Sequence, residues 1–141
     1  MNCCTRCRPF GAVVHLAAAI TPPAGAELAV LRAANMEACE RLFRYCGTHG
    51  VAKVVFTSSL GVLARPLRSP VTERDPVGPV LPYHLSKYWG ELALQEASAR
   101  YGYAGVSLRI SSPVGKCLEL LPPTVVHKWL TTAGEGRPLG M

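Results

Sequence analysis

Residues 51–58 read VAKVVFTS, a short run of mostly apolar and β-branched side chains bounded by Gly50 and Ser59. A continuous run of this length, flanked by glycine and serine, is typical of a strand buried within a parallel sheet. We therefore expect residues 51–58 to form one strand of a parallel sheet, with the neighbouring segments arranged around it.

The segments on either side alternate between strand and helix patterns. Two more short apolar runs predict a buried strand at 12–17 (AVVHLA) and a further strand at 105–110 (GVSLRI). Apolar spacings of three and four residues, with proline or glycine near the ends, predict helices at 26–45, 83–100 and 124–133. This order, with short connections, predicts an α/β fold in which parallel strands are joined by right-handed helical crossovers.

The first predicted helix carries a polar residue on its apolar face. The apolar positions of that face are Leu28, Leu31, Ala38, Leu42 and Tyr45. Asn35 falls between Leu31 and Ala38 on the same face. A buried amide must find hydrogen-bond partners. Asn35 is therefore expected either to cap a neighbouring backbone segment or to serve a functional site.

Small and hydroxyl-bearing residues gather where the predicted strands end. In an open parallel sheet, ligands bind beyond the carboxyl ends of the strands. The residues at these ends are Ala17, Ala18, Thr57, Ser58, Ser59, Ser111 and Ser112. We therefore expect polar chemistry at this edge of the sheet.

Tyr83 and Lys87 open the helix that follows the serine-ended strand. Their spacing of four places both side chains on one helical face. A free phenol titrates near a pKa of about 10, and a nearby ammonium lowers that pKa toward a range useful for acid–base chemistry. Gly90 lies three residues further on the same face, so a backbone or a ligand could approach closely there. The pair alone is a weak signal, but its position after the serines favours a functional site.

Charge and hydropathy exclude several classes of function. The 141 residues are 49% hydrophobic and 17% charged, which excludes wholesale disorder. The formal net charge is +6, but the basic residues are scattered, so no nucleic-acid partner is expected. No apolar run reaches the roughly 20 residues that span a bilayer, so no membrane partner is expected.

The cysteines do not form a metal-binding pattern. Cys4 and Cys7 form a CxxC pair, but structural zinc sites use four ligands and the sequence has no second pair. We expect no metal site and reduced thiols, as in a cytoplasmic protein. Residues 1–26 also have the basic start and apolar run of a secretory signal, although His15 interrupts that run. A cytoplasmic protein with a strand at 12–17 is the favoured interpretation.

Several segments resemble, in order, the motifs of one enzyme family. The segments are residues 13–18 (VVHLAA), 35–39 (NMEAC), 55–59 (VFTSS), 83–87 (YHLSK) and 109–115 (RISSPVG). They resemble the VxHLAA strand end, the NVxGT helix, the TSS strand end, the YxxSK helix start and the LRxxNxYG turn of the extended short-chain dehydrogenase/reductases. The resemblance is to the NAD-dependent epimerase/dehydratase branch, and it implies a Rossmann-like parallel sheet with flanking helices.

The resemblance implies a role for each matching residue. Tyr83 would be the general acid or base on a substrate hydroxyl, Lys87 would lower its pKa and hold the nicotinamide ribose, and Ser59 would hydrogen-bond the reacting oxygen. Ser58 and Thr57 are the alternative candidates for the role of Ser59. The other residues implied at the NAD or NADP site are Ala17, Ala18, Asn35, Thr57, Ser58, Pro113 and Val114. The implied activity is hydride transfer on a hydroxyl or keto group of a small molecule such as a nucleotide sugar. The resemblance also allows for a homo-oligomer.

The sequence departs from the family in ways that affect these roles. No GxxGxxG turn for the cofactor pyrophosphate occurs in the 141 residues. Ser112 also stands where the family usually has asparagine. The resemblance therefore implies the central part of a larger domain: an atypical Cys/Arg leader at 1–11, and a partial NAD(P)-binding domain at 12–141 that supplies three strands. We expect weak NAD(H) binding by this chain alone.

Two other functions remain open from the sequence. One is a non-catalytic interaction or sensor protein that retains Tyr83 and Lys87 by descent. The other is a reductase of bulky ketones from the same superfamily, since the TSS and YxxSK patterns are shared. The matching motifs do not distinguish a nucleotide-sugar substrate from a bulky ketone, and they do not distinguish NAD from NADP.

Overall fold

The computed structural model describes residues 11–20, 27–67, 69–111 and 125–136, with the backbone alone for 125–128 and 130. The chain divides into two compact units, Met1–Ile110 and Ser111–Met141. Pro113 and Val114, both predicted at the cofactor site, lie outside the described residues, as do Ser112 and residues 1–10 of the predicted leader.

The described elements agree in type and order with the predicted strands and helices. In the first unit they are β1 (Ala12–His15), α1 (Glu27–Leu31), a π-helical segment (Arg32–Glu37), α2 (Ala38–Thr48), β2 (Lys53–Ser59), a 3-10 turn (Leu60–Val62), α3 (Pro82–Tyr101) and β3 (Ala104–Ile110). In the second unit the described element is α4 (Val125–Gly134). Because α1, the π-helical segment and α2 are consecutive, they form one helix with a wide turn in its middle.

The three strands form one parallel sheet in the order β1-β2-β3. Val13 pairs with Val54, and Val54 pairs in turn with Gly105. A helical segment connects each pair of neighbouring strands, as parallel pairing requires. The predicted truncated Rossmann-like sheet, with three strands and flanking helices, is therefore confirmed. All three strands end at the same edge of the sheet, where the predicted site residues gather.

One face of the sheet is packed against the helices and forms the core. The side chains of Val54 and Phe56 on β2 are buried on this face. They pack with Cys39, Phe43, Cys46, Val51, Leu94, Ala97 and Tyr103 in one apolar cluster. The core therefore fixes β2, which carries Thr57, Ser58 and Ser59, against α2 and against α3, which carries Tyr83 and Lys87.

The opposite face of the sheet is largely open within the described part of the chain. Its exposed apolar side chains are Val14, Val106, Leu108 and Ile110, which are 44–59% exposed. The prediction of a buried strand at 12–17 is therefore wrong in burial and in length, because β1 alternates between exposed and half-buried residues and ends at His15. The physical reason is that the described helices cover only one face, so only alternate residues of β1 are shielded.

The predicted apolar face of the first helix is displaced by one residue after Asn35. The buried residues are Leu31, Asn35, Cys39, Phe43 and Cys46. The predicted face instead contains positions 38, 42 and 45, each of which directly precedes a buried residue. The π-helical segment at 32–37 explains the shift, since an i→i+5 turn holds one more residue than an α-helical turn.

Helix α3 begins and ends with the residues that predicted it. Pro82 is its first residue, where a missing backbone N–H is tolerated. Gly102 follows its last residue in the left-handed conformation, with φ of 76°, and its N–H donates to the carbonyl of Ser98. The start of α3 is therefore fixed next to the carboxyl edge of the sheet, directly before Tyr83.

Candidate active site

Asn35 holds the loop that follows β1. Its side chain is 2% exposed. The Oδ1 atom accepts from the N–H of Ala19 at 2.8 Å, and Nδ2 donates to the Ala19 carbonyl at 2.9 Å. Because one amide satisfies both backbone groups of Ala19, the loop containing Ala17 and Ala18 is tied to the helix. The contact of Ala17 and Ala18 with a cofactor stays a prediction.

The same amide also reaches the first turn of α3. Asn35 Nδ2 donates to the hydroxyl of Ser86 at 3.0 Å, and that hydroxyl donates to the backbone carbonyl of Tyr83 at 2.7 Å. Asn35 and Ser86 are both buried. The structure therefore brings the β1 loop and the Tyr83 turn together through two buried polar side chains.

Tyr83 and Lys87 lie one turn apart on α3, in different surroundings. The phenol of Tyr83 is half-buried, and this burial raises its pKa. Lys87 is 2% exposed, and its Nζ lies 4.6 Å from the centroid of the Phe56 ring. The structure thus differs from the expectation that Lys87 lowers the pKa of Tyr83, because the loss of hydration dominates at the phenol.

The ammonium of Lys87 has no acidic partner among the described residues. None of the ion pairs in that part of the chain includes it. Burial lowers its pKa, while the nearby Cys39 acts weakly in the opposite direction. A buried cation without a carboxylate is costly, and it favours oxygen ligands such as hydroxyls.

The aromatic ring of Phe56 packs against the ammonium group of Lys87. Gly90 permits this arrangement, since a Cβ at position 90 would overlap the Phe56 ring. The close approach expected at Gly90 therefore comes from an aromatic side chain rather than from a backbone or a ligand. The ring of His15 stacks on that of Phe56, with ring centroids 5.7 Å apart, and burial lowers the pKa of its imidazole.

The three hydroxyls at the end of β2 have different partners. Thr57 Oγ1 donates to the His15 carbonyl at 3.1 Å, which joins the ends of β1 and β2. Ser59 Oγ accepts from the N–H of Gly61 at 3.2 Å and so caps the 3-10 turn. Ser58 is buried, and its hydroxyl has no hydrogen-bond partner in the described residues. Ser59 is therefore a half-buried hydroxyl at the edge where a substrate oxygen is predicted.

The turn after Ser59 packs against the start of α3. A Cβ at Gly61 would overlap the ring of His84, so the turn and the helix are in direct contact. The ring of His84 also lies 5.6 Å from that of Tyr83, in an edge-to-face orientation. Ser59 and Tyr83 are thus held at the same end of the sheet by the contact between Gly61 and His84.

Ser86, the serine of the YHLSK segment, and Glu91 are polar residues of α3 for which the sequence predicts no role. Glu91 on α3 makes a two-pronged ion pair with Arg109 on β3, with Nη2 2.7 Å and Nε 3.0 Å from its carboxylate oxygens. Both side chains are largely shielded from solvent. A signal is present, since Ser86 lies between Tyr83 and Lys87 in the motif and Glu91 follows the buried Gly90. Helical spacing alone does not show which of these polar residues face the sheet.

Several other site types find no support in the described residues. No group of three histidine, cysteine or acidic side chains able to hold a metal occurs in that part of the chain. Of the helices with described placement, none is long and apolar enough to cross a membrane. A surface groove of about 550 Å³ lies along the π-helical segment, α2 and Trp89, and neither Tyr83 nor Lys87 lines it.

The fold and the site define the class of protein. A parallel sheet with a Tyr-x-x-x-Lys pair at the start of the helix beside its carboxyl edge belongs to the Rossmann-like α/β class. The chain is a member of the NAD dependent epimerase/dehydratase family, whose sequence model matches residues 4–141. The match begins within the predicted leader at 1–11, and the boundary of that leader stays a prediction.

The chain is similar in sequence to curated enzymes and in fold to solved structures. The UDP-glucose 4-epimerase of Azospirillum brasilense is 37% identical over 70 residues, which cover 50% of this chain and 20% of that enzyme. A short-chain dehydrogenase/reductase superfamily protein from Agrobacterium tumefaciens, solved with bound NAD, superposes with a TM-score of 0.65 at 36% identity, covering 70% of this chain and 30% of that one. The UDP-glucuronic acid 4-epimerase from Bacillus cereus, in complex with NAD, gives a TM-score of 0.77 at 23% identity, covering 93% and 41%. The chain thus spans less than half the length of each.

Proposed function

We propose that this chain carries the catalytic Tyr–Lys–Ser centre of an NAD-dependent sugar epimerase-like enzyme. The observation that carries the proposal is the placement of Tyr83 and Lys87 at the carboxyl edge of the sheet, next to Ser59 and the loop held by Asn35. Family membership and the 37% identical UDP-glucose 4-epimerase support a nucleotide sugar as the substrate class.

The residues present suit one half of the cofactor. The buried ammonium of Lys87, which lacks an acidic partner in the described residues, suits the hydroxyls of the nicotinamide ribose. The backbone at Ala17 and Ala18 would line the ring, and Pro113 and Val114 are proposed near the carboxamide. The pyrophosphate half has no glycine-rich turn in these 141 residues. NAD is favoured over NADP by the NAD-bound relatives.

The proposed chemistry is a proton transfer by this chain coupled to a hydride transfer. When bound, the nicotinamide supplies a reversible hydride acceptor. The Tyr83 phenolate takes the proton from a sugar hydroxyl as the C–H bond at the same carbon is broken, and its phenol returns that proton in the reverse step. Ser59 donates a hydrogen bond to the same oxygen. Because burial raises the pKa of Tyr83 in the free chain, the proposal requires that the ammonium of Lys87 favour the phenolate when NAD and the sugar are bound.

Turnover by the longest natural form of this protein tests the proposal. UDP-glucose and NAD are the probes, and UDP-galactose or an oxidised sugar is the measured product. Tyr83→Phe is expected to lower kcat by about 100-fold or more, since the phenol proton is lost while the ring is kept. Tyr88→Phe is the matched control, because Tyr88 lies on the same helix outside the Tyr–Lys pair. Equal activity of Tyr83→Phe and the wild type would support the non-catalytic alternative instead.

NAD binding by the isolated chain gives a second, independent test. We expect a dissociation constant for NAD in the millimolar range. The chain offers the buried Lys87 to the cofactor, but it has no glycine-rich turn for the pyrophosphate. Amide NMR shifts should be confined to the neighbourhood of Tyr83, Lys87 and the β1 loop, and they should disappear in Lys87→Met. Lys53→Met, at an exposed position on β2, should leave them unchanged. Micromolar affinity would contradict the expectation of weak binding, and shifts elsewhere would contradict the proposed site.

A further inference from the structure

The first turn of α3 lacks the usual side-chain cap. Its N-cap residue, Leu81, makes no capping hydrogen bond, and Pro82 has no backbone N–H to contribute. Tyr83 is the second residue of this turn, in the part of a helix that frays most easily. The orientation of its phenol therefore depends on other contacts that hold the turn.

Ser86 provides such a contact from inside the protein. Its hydroxyl donates to the Tyr83 carbonyl at 2.7 Å and accepts from Asn35 Nδ2 at 3.0 Å, and the side chain is 1% exposed. In an α-helix, the same Tyr83 carbonyl is the acceptor for the backbone N–H of residue 87. One carbonyl thus links Ser86 to the backbone of both Tyr83 and Lys87.

The other end of this connection is fixed as well. Asn35 is tied to both backbone groups of Ala19, so its amide cannot rotate without losing two further hydrogen bonds. The π-helical segment places Asn35 at this point. The hydrogen bonds run without a break from the β1 loop, through Asn35 and Ser86, to the backbone of Tyr83.

We propose that Ser86 is a positioning residue that sets Tyr83 relative to the β1 loop. It acts through the Tyr83 carbonyl and touches neither the reacting oxygen nor the sugar. The effect of Ser86 on turnover rests on the function proposed above, whereas its effect on the position of Tyr83 can be measured in the folded chain without a substrate. The simpler alternative is a serine that merely satisfies the buried amide of Asn35.

Helix α3 contains a matched control for this serine. The hydroxyl of Ser98 donates to the Gln95 carbonyl at 3.0 Å, with the same spacing of three residues as Ser86 and Tyr83, but this hydrogen bond is exposed to solvent. Ser98→Ala removes an equivalent bond without a link to Asn35. A difference between Ser86→Ala and Ser98→Ala therefore reports the connection and not the loss of a helical serine.

The decisive measurement is the titration of Tyr83 followed by NMR of labelled tyrosines in the free chain. Tyr83→Phe assigns its signal among the five tyrosines. In Ser86→Ala we expect a changed ring environment and a fall in the Tyr83 pKa toward its ordinary value, because a looser turn admits water to the phenol. Ser98→Ala should match the wild type, and Ser86→Thr, which keeps the hydroxyl, should retain most of the native titration.

The outcomes separate the proposal from its alternative. If the Asn35 side-chain signals move in Ser86→Ala while the ring shifts and titration of Tyr83 stay native, Ser86 only satisfies the amide and the proposal is wrong. Should Ser86→Ala fail to fold, Ser86→Cys provides the same readout with a weaker hydrogen-bonding group.

Turnover by the longest natural form of the protein then tests whether the positioning by Ser86 contributes to catalysis. We expect Ser86→Ala to lower kcat about tenfold to 100-fold with little change in KM. Absence of turnover in the wild type would overturn the proposed function, but the Tyr83 titration would still decide independently whether Ser86 positions the turn.

Discussion

The ammonium nitrogen of Lys87 lies 4.6 Å from the centroid of the Phe56 ring, at a position where the lysine is almost completely buried. The ring attracts the charge but provides no hydrogen-bond acceptor of carboxylate strength. The buried charge is therefore only partly compensated, and we expect its presence to lower the free energy of unfolding.

Replacement of Lys87 tests that cost. Lys87→Met keeps the apolar stem and removes the buried charge, so we expect the free energy of unfolding at pH 7 to rise by about 1 kcal/mol. Urea denaturation measures the change. Lys53→Met, at an exposed position, should change stability by less than about 0.5 kcal/mol. Destabilisation by Lys87→Met would show that the ring contact outweighs the cost of burial.

The same lysine predicts a pH dependence. Burial lowers the pKa of Lys87, so the unfolded chain binds more protons than the folded chain between the folded pKa and the ordinary value of 10.5. Stability of the wild type should therefore rise relative to Lys87→Met as the pH increases through this window. The difference between the two proteins is the quantity to follow, since groups remote from Lys87 titrate equally in both. Cys39 and His15 are the exceptions, because the charge of Lys87 lowers the pKa of each. A gap that stays constant up to the ordinary pKa of 10.5 would contradict the lowered pKa.

Gly90 should tolerate no side chain. Ala is normally favoured over Gly inside a helix by about 1 kcal/mol, but a Cβ at position 90 would overlap the Phe56 ring. We expect Gly90→Ala to destabilise the chain by about 1–3 kcal/mol. In a Phe56→Leu background the penalty should shrink, because the smaller side chain leaves room. Equal penalties in both backgrounds would show that the ring is not the obstacle.

The hydroxyls of Thr57 and Ser58 should contribute differently although the residues are adjacent. Thr57 donates to the His15 carbonyl, so Thr57→Val should cost about 1 kcal/mol. The hydroxyl of Ser58 has no partner among the described residues, so Ser58→Ala should be neutral or stabilising. Thermal denaturation of the two variants gives the comparison. A larger loss for Ser58→Ala than for Thr57→Val would indicate a partner such as a bound water.

The open face of the sheet predicts self-association. Val106, Leu108 and Ile110 expose apolar side chains on neighbouring positions of that face, and exposed apolar patches promote association. We expect Leu108→Thr to lower the apparent mass in sedimentation at high protein concentration without loss of helical signal. Leu94→Thr, in the core on the other face, should instead unfold the protein. A monomeric wild type at all concentrations would contradict this prediction.

The order and type of the elements follow from local sequence. The runs at 51–58 and 105–110 are short and apolar, and Pro82 and Gly102 mark the ends of α3, so local chemistry determines these features. The spacing of Tyr83 and Lys87 also predicts their shared face. Such features depend on residues that are close in the sequence.

The remaining features depend on contacts between distant residues. The wide turn at Arg32–Glu37 contains Asn35, which bonds to Ala19 and Ser86, and no local sequence pattern predicts either the turn or these partners. The exposure of Val14 depends on which face the helices cover. Likewise, the raised pKa of Tyr83 reflects burial by the folded chain, which the spacing to Lys87 does not reveal.

The wide turn at Arg32–Glu37 places the amide of Asn35 in the candidate site, while the helical residues after it pack in the core. Since it holds one residue more than an α-helical turn, loss of one residue such as Ala34 would restore regular winding and leave Cys39, Phe43 and Cys46 directed at the core. Asn35 would then lie three residues after Leu31 and four before Cys39 in a regular turn, so its hydrogen bonds to Ala19 and Ser86 would have to form from a different geometry. A one-residue deletion in this segment is therefore the change that separates the geometry of the buried amide from the packing of α2.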